Sequence, residues 1–393
     1  MPKYNFDEII DRTGTESLKY DAGRVYNPYL PDDYIPMWVA DMDFACAQPM
    51  LDAMHERLDR RILGYGNYSD TMSDKYYDAI LGWISRRHGV AAQKENIAFS
   101  TSVIDSAREA VACMSKDGDR VMINTPCYQY LYSPATEFPR EVVKMPLQNN
   151  VGYYTIDFEA FEKEVSNEKT TLFLLCSPHN PSGRVWSEQE LRKMAELCFA
   201  NNVRIFVDEI HNDLTRKSSE MISLTALYPQ DPRIVTAMST SKSFNVAGNN
   251  HSYVITYDPA IKNAFDESRY CGSPNPLSVA AIIAAYNECE DWIDEVRDYI
   301  DANMNYLADF IHENLPRAKF RIPEGTYLAW IDLSGYGMDE KSLNKKISTE
   351  GLFLEYASDF VHNSEGFARM NMACPRSVVM KACGRLKNAL EKE

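Results

Sequence analysis

A lysine with unusual neighbours is the first feature of this chain that suggests chemistry. Lys242 follows the apolar run Ile234–Met238 and stands in a stretch of small hydroxyl residues, 239–243. Burial opposes the charge of an amine and lowers its pKa, so a lysine in this setting is suited to attack an aldehyde and form a Schiff base. For this motif alone, an ordinary loop lysine at a strand end is the alternative.

Two further polar residues follow apolar runs that are typical of buried strands. Asp208 comes directly after residues 205–207, and Asn180 lies in a proline-rich turn after residues 172–176. A helix cap and a simple turn are the respective alternatives. In α/β folds, however, ligands bind at the carboxyl ends of strands. Along the chain, an amide, an acid and an amine follow one another, and they match the phenolic oxygen, the ring nitrogen and the aldehyde of pyridoxal 5′-phosphate (PLP), respectively.

With these residues in place, the chain resembles the fold-type I PLP-dependent enzymes of the aminotransferase class I/II superfamily. Within them it is similar to the MalY/PatB group of cystathionine β-lyase-like C–S lyases, over essentially the whole chain. The resemblance is carried by Trp-Val-Ala-Asp-Met-Asp-Phe at 38–44, Gly-Tyr at 64–65, Thr-Pro-Cys-Tyr at 125–128, the Asn-Pro turn at 180–181, Asp-Glu-Ile-His at 208–211, Ser-Lys-Ser-Phe-Asn at 241–245, Thr-Tyr-Leu-Ala-Trp at 326–330, Arg-Met-Asn at 369–371 and Cys-Pro-Arg at 374–376.

The resemblance implies a role for each residue around the cofactor ring. Lys242 would hold the aldehyde and later remove the substrate α-proton, Asp208 would pair with the ring nitrogen, and Asn180 would donate to the phenolic oxygen. His211 stands where many aminotransferases have a tyrosine that contacts this oxygen; a capping or solvated histidine is the alternative. Tyr128 resembles the aromatic residue that stacks on the ring, with core packing as its alternative.

The cofactor phosphate would be bound at the start of a helix. Free backbone amides and the helix dipole attract an anion there. The residues assigned to the phosphate are Ser102, Val103 and Ile104 at the helix start, the hydroxyls of Ser239 and Ser241, and Tyr65 from the neighbouring subunit. Tyr65 therefore implies a homodimer, with interface packing as its alternative. Many aminotransferases place an arginine shortly after the lysine, and residues 246–251 contain none.

Arg369 resembles the arginine that binds the substrate α-carboxylate through two parallel hydrogen bonds, which lysine does not reproduce. A surface salt bridge is the alternative. The apolar neighbours in 367–371 favour a buried charge. Trp38 and residues 41–44 are expected to border the substrate entrance.

Composition limits the function classes. The chain has 393 residues, 45% of them hydrophobic and 25% charged, with a formal net charge of −16. That charge argues against nucleic acid or an anionic membrane as a partner. The start of the sequence lacks an apolar signal-like segment, and no later apolar run approaches a membrane span. Nine cysteines without Cys-x-x-Cys pairs suggest a cytoplasmic protein with reduced thiols. No metal is expected.

Strands that alternate with helices from residue 97 to residue 256 predict an α/β fold with a mostly parallel sheet. The resemblance implies a seven-stranded type of sheet between helices and a smaller C-terminal α/β domain. The predicted division is an N-terminal arm at 1–45, a large PLP-binding domain at 46–285 and a small domain at 286–393. Helices are predicted at 49–63, at 73–88 with Ser73 as N-cap, and through much of 276–315.

Three functions stay open at this point. A C–S β-lyase that releases a thiol, pyruvate and ammonia from cystathionine or cysteine S-conjugates is the first, on the resemblance to the lyase group. An aminotransferase is the second, because both reactions begin with loss of the α-proton. An added regulatory role that binds a transcription factor is the third.

Overall fold

The computed structural model describes residues 3–64, 66 and 74–392. The predicted Ser73 cap and Tyr65 lie outside the described residues. The strands are β1 (Ile35–Pro36), β2 (Ile97–Ser100), β3 (Arg120–Thr125), β4 (Cys127–Tyr128), β5 (Glu141–Pro146), β6 (Gln148–Asn150), β7 (Tyr153–Thr155), β8 (Thr170–Cys176), β9 (Arg204–Asp208), β10 (Ile234–Met238), β11 (Ser252–Thr256), β12 (Lys319–Phe320), β13 (Leu328–Asp332), β14 (Leu352–Phe353), β15 (Glu355–Tyr356), β16 (Phe360–Val361) and β17 (Phe367–Asn371).

The α-helices of the described residues are α1 (Leu18–Asp21), α2 (Gly23–Tyr26), α3 (Gln48–Asp59), α4 (Asp74–His88), α5 (Val103–Met114), α6 (Gln129–Thr136), α7 (Phe158–Val165), α8 (Glu188–Ala200), α9 (Leu224–Leu227), α10 (Thr240–Ser243), α11 (Pro259–Asp266), α12 (Pro276–Glu288), α13 (Glu290–Asn314), α14 (Glu340–Thr349) and α15 (Arg376–Glu391). None of the helices in the described part of the chain combines the length and the apolarity needed to cross a bilayer.

The central sheet has seven strands in the order β2-β11-β10-β9-β8-β3-β5. Six of them run in one direction, and β11 is antiparallel to both of its neighbours. The strands in the middle are buried on both faces, which is why they read as continuous apolar runs rather than as alternating patterns. In β8, Leu172 and Leu174 pack toward α5, whereas Phe173 and Leu175 pack toward α7 and α8. The predicted α/β class and mostly parallel sheet are confirmed.

A second, antiparallel sheet follows, in the order β12-β13-β17-β15. Strands β13 and β17 are its centre, and they share an apolar core with helices α13, α14 and α15. The largest apolar core of the described residues joins these helices to α4, α12 and the N-terminal segment. The predicted domain boundary between residues 285 and 286 falls within α12 and stays a prediction.

Three local differences separate the predicted elements from the observed ones. Helix α3 ends at Asp59, not at Leu63, because Arg61 has a φ of 62° and the left-handed backbone ends the helix. The long helical stretch is two helices, α12 and α13, separated at Cys289. The edge strand β5 escaped prediction because it is half exposed and lacks the apolar run of its neighbours.

Candidate active site

Three adjacent parallel strands bring the predicted cofactor residues to one edge of the central sheet. Asp208 is the last residue of β9, where it lies opposite Cys176 of β8 on one side and Ala237 of β10 on the other. Asn180 and Lys242 each follow the end of their strand by four residues. The carboxyl ends of parallel strands thus place an amine, a carboxylate and an amide next to one another.

The Lys242 side chain lies against the N-terminal segment. Its Nζ donates a hydrogen bond of 2.6 Å to the backbone carbonyl oxygen of Ala40. Burial lowers the pKa of Lys242 from 10.5 to about 8, Arg369 acts in the same direction, and the carboxylates of Asp41 and Asp208 oppose it. A lysine with this pKa has far more neutral amine near pH 7 than an exposed lysine, as attack on an aldehyde requires.

Asp208 is a buried carboxylate with one oxygen left for a ligand. Burial raises its pKa to about 6, while the Ile210 backbone N–H and the charge of Lys242 lower it. The Ile210 N–H donates to Oδ1 over 3.0 Å, and no donor of the described residues is bonded to Oδ2. The acid is mainly ionised at neutral pH, which is the state that holds a protonated ring nitrogen.

Asn180 and Arg369 form a direct pair. Arg369 Nη1 donates to Asn180 Oδ1 over 2.9 Å. The amide nitrogen of Asn180 therefore points away from Arg369 and remains a free donor. Arg369 lies on β17 with only 1% of its surface exposed, so the surface alternative for it is wrong. Its guanidinium forms an ion pair with Glu355 on β15 and lies 5.5 Å from the ring centre of Tyr128.

His211 is neutral and enclosed. It is 2% exposed, so the solvated alternative is wrong. Burial moves its pKa well below 6.5, and the charges of Lys242 and Arg369 act in the same direction. Its Nδ1 has no hydrogen-bond partner among the described residues, and its ring centre lies 5.9 Å from that of Tyr327. An unpartnered buried ring nitrogen beside Lys242 leaves a polar atom available to a ligand.

Helix α5 begins at the same edge of the sheet, because β2 runs parallel to β10 across β11. Ser102 is its N-cap and accepts from the Asp105 N–H over 3.0 Å. Its own hydroxyl donates to the Asp105 carboxylate over 2.7 Å. The backbone N–H groups of Val103 and Ile104 occupy the first turn, where an anion binds.

The two serines before Lys242 differ in their availability. Ser239 donates to the His251 carbonyl oxygen over 2.6 Å, and its oxygen accepts from the Ser241 backbone N–H over 3.0 Å. Ser239 is therefore the cap of α10. The Ser241 hydroxyl lies 2.8 Å from that of Ser239 and has no other hydrogen-bond partner among the described residues, so it is the hydroxyl of the pair that is left for a ligand.

Residues 38–44 form a wall of the site, and backbone carbonyls make the contacts. The Ala40 oxygen accepts from Tyr327 as well as from Lys242, and the Trp38 oxygen lies 3.4 Å from Arg369 Nη2. Asn371 donates to the carbonyl oxygens of Val39 and Asp41 over 2.7 Å and 2.6 Å. These contacts place the backbone of residues 38–41 beside Lys242, Arg369 and Asn371. That Trp38 and residues 41–44 border the substrate entrance stays a prediction.

Several of these contacts escaped sequence reasoning. Glu355, Asn371 and Tyr327 had no assigned role, although Arg369 and Asn371 are two residues apart in a strand and thus share a face. That spacing was the available signal for Asn371. For Glu355 the sequence contains no such signal, because its partner Arg369 lies in another strand.

The residues of this edge fit PLP. The amine of Lys242, the carboxylate of Asp208, the free amide nitrogen of Asn180 and the first turn of α5 are the kinds of group that the aldehyde, the ring nitrogen, the phenolic oxygen and the phosphate of the cofactor would need. No cluster of metal-ligating side chains occurs within residues 3–64, 66 and 74–392.

Comparisons with known proteins agree with this fit. Residues 33–386 match the family described as aminotransferase class I and II. The chain is 37% identical to cystathionine β-lyase PatB of Bacillus subtilis over 98% of this chain and 100% of PatB. It is 31% identical to protein MalY of Escherichia coli over 98% and 99% of the two chains. The structure of the PLP-bound C–S lyase of Staphylococcus hominis superposes with a TM-score of 0.93 at 39% identity, covering 99% and 98% of the two chains.

Proposed function

The chain belongs to the class I and II aminotransferase family, within it to the group of PatB and MalY, and from this premise we propose that it is a PLP-dependent C–S β-lyase. Its substrates would be cystathionine or other S-conjugates of cysteine, and its products a thiol, pyruvate and ammonia. One observation carries the proposal: the amine, acid, amide and guanidinium that this chemistry needs meet at one sheet edge in a chain similar to C–S lyases over its full length.

Each protein group has a defined task in this proposal. Bound PLP supplies an electron sink that acidifies the α-proton of an amino acid. Lys242 Nζ holds the cofactor covalently and, once released, takes the α-proton; its pKa of about 8 suits a base near neutral pH. Asp208 Oδ2 keeps the proton on the ring nitrogen. Arg369 orients the substrate through its carboxylate, and Tyr128 packs against the ring.

The phosphate group would be bound by the first turn of α5 and the serines near Lys242. Ser102, Val103 and Ile104 supply the helix start, and Ser241 supplies a hydroxyl. We further propose a homodimer in which Tyr65 reaches the phosphate of the neighbouring subunit. A cytoplasmic location is proposed on the nine cysteines, all of them free.

Two features favour elimination over amino-group transfer. Residues 246–251 lack the phosphate-binding arginine of many aminotransferases, and His211 replaces their tyrosine. His211 is buried and neutral, so it offers a polar ring nitrogen without adding positive charge near the phenolic oxygen.

The test is the product spectrum of the purified, PLP-loaded protein. With cystathionine or S-methyl-L-cysteine and no 2-oxo acid, we expect thiol, pyruvate and ammonia in equal amounts. An aminotransferase instead needs an added 2-oxo acid and leaves the C–S bond intact. Amino-group transfer that clearly outpaces thiol release across several conjugates would refute the lyase proposal.

A further inference from the structure

The charge of Arg369 is already neutralised before any substrate binds. Glu355 lies directly opposite Arg369 in the antiparallel pair of β15 and β17, and the two side chains form an ion pair. Arg369 is 1% exposed and the Glu355 side chain 12% exposed. A guanidinium buried without a counter-charge is strongly unfavourable, so Glu355 stabilises the empty site.

The guanidinium also has no free edge for a second carboxylate. Bidentate binding uses two N–H groups on one edge of the guanidinium. Two edges can do this: one carries Nε and Nη2, and the other carries Nη1 and Nη2. Nη2 therefore takes part in either mode of binding. Nη2 already contacts Glu355 and lies 3.4 Å from the Trp38 carbonyl oxygen, and Nη1 donates to Asn180. Nε alone is buried without a partner. A carboxylate that binds to Arg369 through two hydrogen bonds must therefore displace a present partner.

We propose that Glu355 is a specificity-determining residue that occupies the α-carboxylate position in the free enzyme and leaves Arg369 when substrate binds. The proposal rests on the proposed role of Arg369. Glu355 is the partner expected to move, because two carboxylates on one guanidinium repel each other and β15 is the edge strand of its sheet. The Trp38 carbonyl is neutral and is held within the backbone of the 38–44 wall.

This competition selects for amino acids over simple carboxylic acids. An amino acid is held through its amino group as well as through its carboxylate, and the second attachment offsets the displacement of Glu355. A carboxylate without an amino group has only Arg369 to bind, and Glu355 outcompetes it. Pyruvate, the proposed product, belongs to this second class, so the return of Glu355 would promote its release.

The test measures how tightly the PLP-loaded protein binds 3-(methylthio)propanoate, which is S-methylcysteine without its amino group. Calorimetric titration should give a dissociation constant about tenfold lower for Glu355→Gln than for wild type, the size of one charge-assisted hydrogen bond regained. The KM for S-methyl-L-cysteine should fall with no rise in kcat. Glu365→Gln removes one exposed charge from the same region and should change neither constant.

Unchanged or weaker binding by Glu355→Gln overturns the inference, because Glu355 would then hold Arg369 in place for the substrate. If this variant does not fold, Glu355→Asp decides, since it keeps the charge on a shorter side chain. It should bind the probe about threefold more tightly; equal or weaker binding overturns the inference. Arg369→Lys, added to Glu355→Gln, separates the two proposals: if the double variant binds the probe as tightly as Glu355→Gln does, the carboxylate anchor itself is wrong.

Discussion

Replacing Asp208 by asparagine should inactivate the protein and stabilise its cofactor-free fold at the same time. Asp208 is buried, and burial raises the pKa of its carboxyl from 3.8 to about 6. The native state therefore keeps this proton between those values while the unfolded state loses it. The stability that this retained proton gives the native state is complete below pH 3.8 and is lost as the pH rises from there through about 6. Above that pH the ionised carboxylate costs the empty fold about 3 kcal/mol.

Asparagine removes this charge but keeps the oxygen that accepts from the Ile210 N–H. Its amide nitrogen adds a buried donor without a partner in the cofactor-free protein, which costs about 1–3 kcal/mol. We therefore expect the free energy of unfolding to rise by about 1 kcal/mol near pH 7. The loss of a charge aimed at the ring nitrogen should lower kcat by a factor on the order of 10²–10³.

Urea unfolding of the cofactor-free protein and thiol release by the loaded protein measure the two effects. Glu209→Gln is the matched control: Glu209 is adjacent and equally buried, but burial raises its pKa to about 8, so it is already neutral at pH 7. Its variant removes no charge at pH 7, so it should show no gain in stability, and its turnover should stay near wild type. Near-wild-type turnover of Asp208→Asn would refute the pairing with the ring nitrogen. A loss of stability near pH 7 would refute the electrostatic account.

Three further predictions concern single residues. Lys242 should carry the cofactor, and borohydride reduction followed by peptide mapping should find it there. The rate of PLP capture by the cofactor-free protein should rise with pH and reach half its maximum at about pH 8, because only the neutral amine reacts. A capture rate that keeps rising to pH 10 would contradict the lowered pKa. Arg369→Lys should raise the KM for S-methyl-L-cysteine roughly tenfold through loss of bidentate binding, and unchanged saturation kinetics would place the carboxylate elsewhere. Asn371→Ala leaves two carbonyl groups of the 38–44 wall unpaired, so the free energy of unfolding measured in urea should fall by about 2 kcal/mol, and kcat/KM should fall as well. An unchanged urea midpoint would mean that other contacts hold the wall.

Much of the fold followed from local patterns in the sequence. Strands β8, β9 and β10 are buried on both faces, so each appears as an apolar run that needs no tertiary information. Strand β5 escaped because an edge strand has one partner strand and a more exposed surface. The end of α3 was not predicted because the left-handed position that ends it is occupied by Arg61 and not by glycine or asparagine, the residue types that mark such a position in a sequence.

Lys242, Asp208 and Asn180 were identifiable from the sequence because each is a polar residue that closely follows a buried strand. The order of the strands along the chain then predicts that their ends meet at one edge of a parallel sheet. Side-chain chemistry and strand direction are both local properties. The sequence by itself was therefore enough to predict a PLP site and its principal residues.

Only the tertiary structure decided what surrounds those residues. The partner of Lys242 is a backbone carbonyl 202 positions away, and such a group has no signature in the sequence because every residue carries one. The pairing of Arg369 with Glu355 depends on the register between β15 and β17, which a shift of one residue would abolish. Register and long-range packing are set by the whole core, and they determine whether the arginine of the site is free or already paired.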